Sequence, residues 1–166
     1  MELFRANVVS PIGTWGVEGD ETSVTRVYLP HEKARISRGT PPRAVAIGVQ
    51  QLREYFNGER QSFVVPLADV AATPFQLYVR AALCNIPYGE VRTYGEIAAT
   101  VGRPKGAQAV GQANHVNPWP IIVPCHRVVN RQGLGGYSGG EKVKRFLLEL
   151  EGVHYAEASA EKSTST

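Results

Sequence analysis

The residues with the clearest chemical potential are Cys125 and His126, adjacent in the string Pro124-Cys125-His126-Arg127-Val128. A thiol is mostly protonated at neutral pH, and a nearby imidazole or helix N-terminus raises its thiolate fraction and its nucleophilicity. The approach Asn117-Pro118-Trp119-Pro120-Ile121-Ile122-Val123 is apolar and stiffened by two prolines. Arg127, inside the same motif, is expected to play an internal structural role rather than to contact phosphate. The second cysteine, Cys84, falls on the apolar side of a predicted helix and reads as a small buried hydrophobe. Glu149 and Glu151 point to different faces near the end of the chain's last helix; one of them could orient His126, and spacing does not choose between them. These residues support a thiolate nucleophile and leave open whether it attacks acyl carbon or alkyl carbon.

Three β-leaning runs, Leu3–Val9, Gly13–Gly19 and Val24–Leu29, are separated by turn signals and predict an antiparallel meander. Apolar residues Val45, Val49, Leu52, Tyr55 and Phe56 recur at helical spacing from Arg43 to Asn57, and that helix is expected to pack on the sheet. After a boundary near Ala71–Thr73 the chain turns helical. Thr73-Pro74 starts a helix whose apolar face is Phe75, Tyr78, Val79, Ala82 and Leu83. Thr93 caps Tyr94–Val101, and Lys105–His115 follows a Gly102-Arg103-Pro104 turn, which together suggest a helix-turn-helix. Gly106, Ala107, Ala109, Gly111 and Ala113 leave the second helix nearly bare. Such a surface serves either close packing or contact with something broad, such as a DNA minor groove. Glycines at 133, 135, 136, 139 and 140 flank Tyr137-Ser138 in a loop that lets backbone approach a ligand. A final helix, Glu141–Glu151, carries Val143, Phe146, Leu147 and Leu150 as its predicted buried stripe.

The expected organisation is a two-domain α+β chain with an N-terminal domain at 1–71, a C-terminal domain at 72–155 and a polar tail at 156–166. Its 166 residues, 43% hydrophobic and 20% charged, suffice for a packed core without disulfide or metal staples. Residues 1–70 are electrically balanced, and the entire +3 excess lies in 71–166. No signal-peptide pattern and no run of 18 apolar residues is present, so a soluble, cytoplasmic protein without membrane association is expected.

The strings PCHRV, NPWPIIV, GGYSGG, KRFLLELEG and IPYGEVRTYGEIA resemble the O6-alkylguanine-DNA alkyltransferases, densely over residues 73–152. The resemblance implies a ribonuclease H-like N-terminal sheet and a winged helix-turn-helix C-terminal domain. It also implies direct DNA repair: the alkyl group of O6-alkylguanine, and of O4-alkylthymine, passes irreversibly to Cys125 after base flipping, once per molecule and without a cofactor. By carry-over, His126 acts through a water as base, Glu151 orients His126, and Asn117 braces the active-site loop. Tyr94 would hydrogen-bond the purine and displace a flanking phosphate. Main chain at Cys125 and Val128 would read the guanine amino group, and the Ser138 amide would meet O6. Arg103 and Lys105 suit phosphate contacts along the minor groove of double-stranded DNA. The implied protein is a monomer without DNA, nucleoid-associated if prokaryotic.

Two departures from the family pattern stand out. Gln108 occupies the position of the arginine that fills the gap left by the flipped base. Residues 1–83 contain no cysteine and only His31, so no zinc is expected. Competing readings are a lesion-binding protein without chemistry, against which Cys125 argues; a cysteine hydrolase, which would need an oxyanion hole and repeated turnover; and a helix-turn-helix regulator, for which no second DNA-binding module is visible.

Overall fold

A computed structural model describes residues 2–33 and 35–154; the expected tail at 156–166 lies outside them. The chain forms two compact units, one made of the stretch up to Ala71 with Pro118–Ile122, the other of Ala72–Asn117 with the stretch from Val123 onward. The architecture is α+β, as the sequence predicts.

The first unit is built on three antiparallel strands in the order β1 (Phe4–Ser10), β2 (Gly13–Gly19), β3 (Val24–Tyr28). Along β1, Val8 and Ser10 are buried while Val9 between them is exposed, the period-two pattern of a half-covered strand. β2 is the middle strand, and every residue from Trp15 to Gly19 is buried. Helix α1 (Arg43–Phe56) packs on this sheet through Val45, Leu52, Tyr55 and Phe56, which join Trp15, Val17, Val24 and Val27 in the core. In the apolar run at 63–67, Leu67 forms an isolated parallel bridge with Val24, the Pro66 carbonyl accepts the Val24 N–H at 2.8 Å, and the Phe63 ring centre lies 5.6 Å from that of Tyr55. Pro118–Ile122 completes this core. Trp119 is buried and donates its indole N–H to the Val24 carbonyl at 2.9 Å, and Ile121 is fully buried. The apolar lead-in to Cys125 is therefore core material of the first unit.

The second unit is mainly helical. Helices α2 (Pro74–Cys84) and α3 (Tyr94–Thr100) both start with a reciprocal capping box, Thr73 with Gln76 and Thr93 with Glu96, which satisfies two otherwise orphaned backbone donors at each start. Gly102, at φ 81°, makes the turn that brings α4 (Ala107–His115) against α3. Two-residue strands β4 (Arg92–Thr93) and β5 (Val128–Val129) pair in parallel and tie the start of α3 to the segment just after the reactive motif. Helix α5 (Glu141–Leu150) closes the unit.

Three side-chain expectations are corrected here. Tyr78 is 64% exposed, because the buried face of α2 is Val79, Ala82 and Leu83 alone. Cys84, at the last position of α2, is exposed rather than a core residue. The stripe of α5 is Val143, Lys144, Leu147 and Leu148, with Phe146 and Leu150 only half-buried. The helix is thus rotated about its axis from the predicted orientation, and a lysine enters the interior.

Candidate active site

Cys125 opens a single 3-10 turn, Cys125–Arg127, immediately before β5. The turn follows Pro124, and the parallel pairing of Val128 and Val129 with Arg92 and Thr93 fixes its far end. Cys125 and His126 are both buried. Cys125 lines an open cavity of about 760 Å³ whose wall also includes Tyr94, Gln108, Asn114, His115, Tyr137 and Ser138.

Behind the thiol stands a buried charge network. His126 Nε2 lies 2.7 Å from Glu151 Oε2. Arg127 grips the same carboxylate with two nitrogens, Nε to Oε1 at 2.8 Å and Nη2 to Oε2 at 3.1 Å, and donates a third bond to the Ile86 carbonyl at 2.7 Å. The Gly89 N–H adds a bond to Oε1 at 3.2 Å. Burial alone would raise the Glu151 pKa, but hydrogen bonds and charge from His126 and Arg127 outweigh it and hold the group at about 2. Glu151 is therefore an acceptor only, and the hydrogen between it and His126 belongs to Nε2. Burial lowers the His126 pKa, so the ring is neutral at pH 7 and Nδ1 carries the lone pair. Nδ1 is buried and meets no hydrogen-bond partner among the described residues. The sequence left Glu149 and Glu151 undecided; the fold brings Glu151 to His126 and leaves Glu149 exposed.

Burial also raises the Cys125 pKa, partly offset by Asn117, Lys144 and Tyr137, so the resting group is a thiol. Asn117 donates Nδ2–H to the Val123 carbonyl at 2.9 Å, pinning the chain just before the reactive turn. The buried Tyr137 hydroxyl lies close enough to Cys125 to perturb it, while forming no well-aligned hydrogen bond among the described residues. Lys144 donates from Nζ to the Val128 carbonyl at 2.6 Å and to the Gly136 carbonyl at 3.1 Å. Its burial lowers its pKa to about 8. Tyr94 donates its hydroxyl to the same Gly136 carbonyl at 3.1 Å. Gly135, at φ 75°, lets the loop pass against the Tyr94 ring, where a Cβ would stand 3.0 Å from Cε2. Ser138 is held to the end of α4 by a 3.0 Å hydrogen bond between its hydroxyl and His115 Nδ1.

The remaining residues singled out in the sequence divide between two places. Gln108 is exposed on α4 and forms part of the cavity wall. Arg103 and Lys105 are exposed on the turn before α4, with the Arg103 guanidinium 4.8 Å from the Phe75 ring centre. Val128 is fully buried, and its carbonyl is the one taken by Lys144. Sequence reasoning missed Lys144, Tyr137, His115 and Asn114 as site residues. Lys144 could have been found only by reading α5 with the apolar pairs Val143 and Leu147, Leu148 one position round. Among the described residues no group of three or more His, Cys, Asp or Glu side chains is placed to hold a metal.

A cysteine in a cavity wall, beside a buried histidine–carboxylate pair and a helix-turn-helix, defines a protein of the helix-turn-helix class with a candidate cysteine site. Residues 74–153 match the model for the 6-O-methylguanine DNA methyltransferase DNA-binding domain. The chain is 45% identical to the constitutive methylated-DNA–protein-cysteine methyltransferase of Bacillus subtilis, over 93% of this chain and 98% of that one. A namesake from Methanosarcina acetivorans is 46% identical over 90% of this chain and 99% of its own. The crystal structure of Mycobacterium tuberculosis O6-methylguanine methyltransferase superposes with a TM-score of 0.79 at 42% identity, covering 90% of this chain and 93% of that one. The chain belongs to the methylated-DNA–protein-cysteine methyltransferase family.

Proposed function

We propose that the protein repairs DNA directly, transferring the alkyl group of O6-alkylguanine to Cys125 in a single irreversible event per molecule. The observation that carries this reading is the neutral, oriented His126, whose free Nδ1 sits next in sequence to a cavity-lining thiol. Through a bridging water, His126 Nδ1 takes the thiol proton, and the imidazolium formed is stabilised by Glu151. The thiolate attacks the sp3 carbon on O6. The C–O bond breaks, its electron pair returns to the purine, and protonation of the ring from Tyr94 or solvent leaves guanine. The thioether product has no leaving group that would regenerate the thiol, so turnover stops. O4-alkylthymine presents the same ether carbon and is a second substrate.

Duplex DNA is the proposed partner, bound as a monomer. A crystal structure of the Mycobacterium tuberculosis protein in complex with DNA is 46% identical to this chain with a TM-score of 0.79. Small residues on α4 suit close approach to the minor groove, with Arg103 and Lys105 on flanking phosphates. Because the target carbon lies inside the duplex, the nucleotide must be extruded, at a cost of a few kcal/mol. The proposed location is the cytoplasm, with association to the nucleoid if the source is prokaryotic; no described helix is long and apolar enough to cross a membrane.

The test is intact-mass measurement after incubation with O6-benzylguanine. One benzyl adduct per chain, absent in Cys125→Ala, is expected. Repeated turnover without an adduct would overturn the reading.

A further inference from the structure

The active-site loop has little of its own to fix its shape. It carries glycine at 133, 135, 136, 139 and 140. Gly135 and Gly140, at φ 75° and 89°, bracket the stretch 136–139, and glycines in that conformation let a short segment swing at little steric cost. From the interior, Tyr94 and Lys144 each donate to the Gly136 carbonyl at 3.1 Å. From the solvent side, the Ser138 hydroxyl lies 3.0 Å from His115 Nδ1 and 3.4 Å from the His115 carbonyl.

His115 ends α4, and it lines the same cavity as Ser138 and Cys125. The bond between His115 and Ser138 therefore joins two walls of that cavity, the helix and the loop. The transfer chemistry uses neither the imidazole of His115 nor the hydroxyl of Ser138. His115 is exposed and Ser138 half-buried, so water competes for both partners and the bond adds little to global stability. Its effect falls on where the loop sits.

The consequence depends on the size of the group transferred. In-line displacement brings the sulfur and the alkyl carbon to about 3–3.5 Å with O6 in line behind. With a methyl group the purine itself must be held close to the thiol, and a loop fixed against it narrows the range of poses. With a benzyl group the same fixed loop occupies room that the substituent needs. The cavity, about 760 Å³, falls in the range that holds drug-sized molecules, so its volume admits either group and the setting of the loop discriminates between them. We propose that the bond from His115 to Ser138 is a latch that holds the active-site loop against α4 and thereby biases the protein toward small O6-alkyl groups. His115 is a positioning residue that acts through Ser138 and touches no reacting atom. The inference rests on Cys125 being the alkyl acceptor.

The experiment measures single-turnover rates of Cys125 alkylation by intact mass, at saturating duplex DNA carrying O6-methylguanine or O6-benzylguanine at the same position. Saturation and the shared sequence context remove any effect of altered DNA affinity. The proteins are the wild type, His115→Phe, His115→Asn, Ser138→Ala and the double variant of His115→Phe with Ser138→Ala. Phenylalanine keeps a ring and loses the nitrogen, whereas asparagine places a carboxamide atom, donor or acceptor, where Nδ1 stands. In His115→Phe and in Ser138→Ala, methyl transfer is expected to slow about two- to fivefold, the worth of one exposed hydrogen bond. Benzyl transfer is expected to stay unchanged or to quicken, so the benzyl-to-methyl ratio rises. His115→Asn is expected to keep the wild-type ratio, and the double variant to match the single ones because both remove the same bond. A ratio that stays at the wild-type value in either single variant overturns the proposal. So does an asparagine variant that behaves like phenylalanine, or a double variant in which the two effects add. Failure of the wild type to form either adduct removes the transfer reaction itself, whereas adducts formed at a ratio that no variant moves remove only the latch.

Discussion

His126 and Glu151, 25 residues apart, meet at 2.7 Å with neither side chain exposed to solvent, and Arg127 holds the far side of the same carboxylate. The carboxylate fixes the proton on Nε2 and so leaves the lone pair on Nδ1, the atom proposed to act as base. In Glu151→Gln, the amide can present a donor to Nε2 and reverse the tautomer, and Arg127 loses its counter-charge. Alkyl transfer to Cys125 is expected to slow by about 100-fold or more, on the precedent of a reversed tautomer in a serine triad. Stability is expected to fall by about 3–5 kcal/mol, the range for a broken buried pair. Mass-resolved time courses and urea unfolding measure the two effects; an unchanged transfer rate would remove Glu151 from the relay.

The same network sets a pH dependence of stability. Glu151 ionises at about 2 in the folded protein against an ordinary value of 4.5. Because its folded pKa is the lower, its contribution of about 3 kcal/mol is present above pH 4.5 and is lost as pH falls toward 2. His126 works in the same direction at higher pH. Its folded pKa is lowered, so the unfolded chain takes up the proton first and stability declines as pH drops below about 6.5. Urea midpoints are expected to fall continuously from pH 7 to pH 3. Glu151→Gln should flatten the part below pH 5.

Lys144 brings a positive charge to the thiol and joins the Val128 and Gly136 carbonyls. In Lys144→Met the Cys125 pKa rises further, and the pH profile of alkyl transfer moves to higher pH. O6-benzylguanine labelling rates measured from pH 6 to 10 check this; an unshifted profile would limit Lys144 to holding the loop.

Gly135 places the active-site loop against Tyr94 at a positive φ. Gly135→Ala adds both left-handed strain and a 3.0 Å approach to the ring. The variant is expected to lose about 1–2 kcal/mol of stability and to react more slowly. A fully stable variant with normal rates would show that the loop relaxes freely.

Gln108 is exposed in the cavity wall, and in the proposed flipped state its amide would offer a donor and an acceptor to the base left unpaired. Gln108→Arg is expected to accelerate repair in duplex DNA much more than reaction with free O6-benzylguanine. Equal effects on both substrates would dissociate this position from the flipped state.

Strands β1 to β3, helix α1 and the starts of α2 and α3 were legible because their signals are local: alternation, helical spacing, the Thr73-Pro74 pair and the capping Thr93. Cys125 and His126 were legible because they are adjacent. The exposure of Tyr78 and Cys84 was not, since an apolar or sulfur-bearing side chain near a helix edge carries no mark of which way the helix is turned. Lys144 was hidden for a related reason. Its partners are two backbone carbonyls, 16 and 8 residues away, and a carbonyl leaves no trace in residue type. His115 carries no local signal either, because its partner Ser138 lies 23 residues away in a loop of glycines.

The segment Pro118–Ile122 has a consequence for how the chain is made. Trp119 and Ile121 are core residues of the first unit but emerge from the ribosome about fifty residues after Ala71. The N-terminal sheet must therefore wait, incompletely packed, until the helix-turn-helix has been synthesised. A fragment ending at Ala71 would lack the indole that caps the Val24 carbonyl. Expressed alone, it is expected to be a loosely ordered species rather than a cooperative domain.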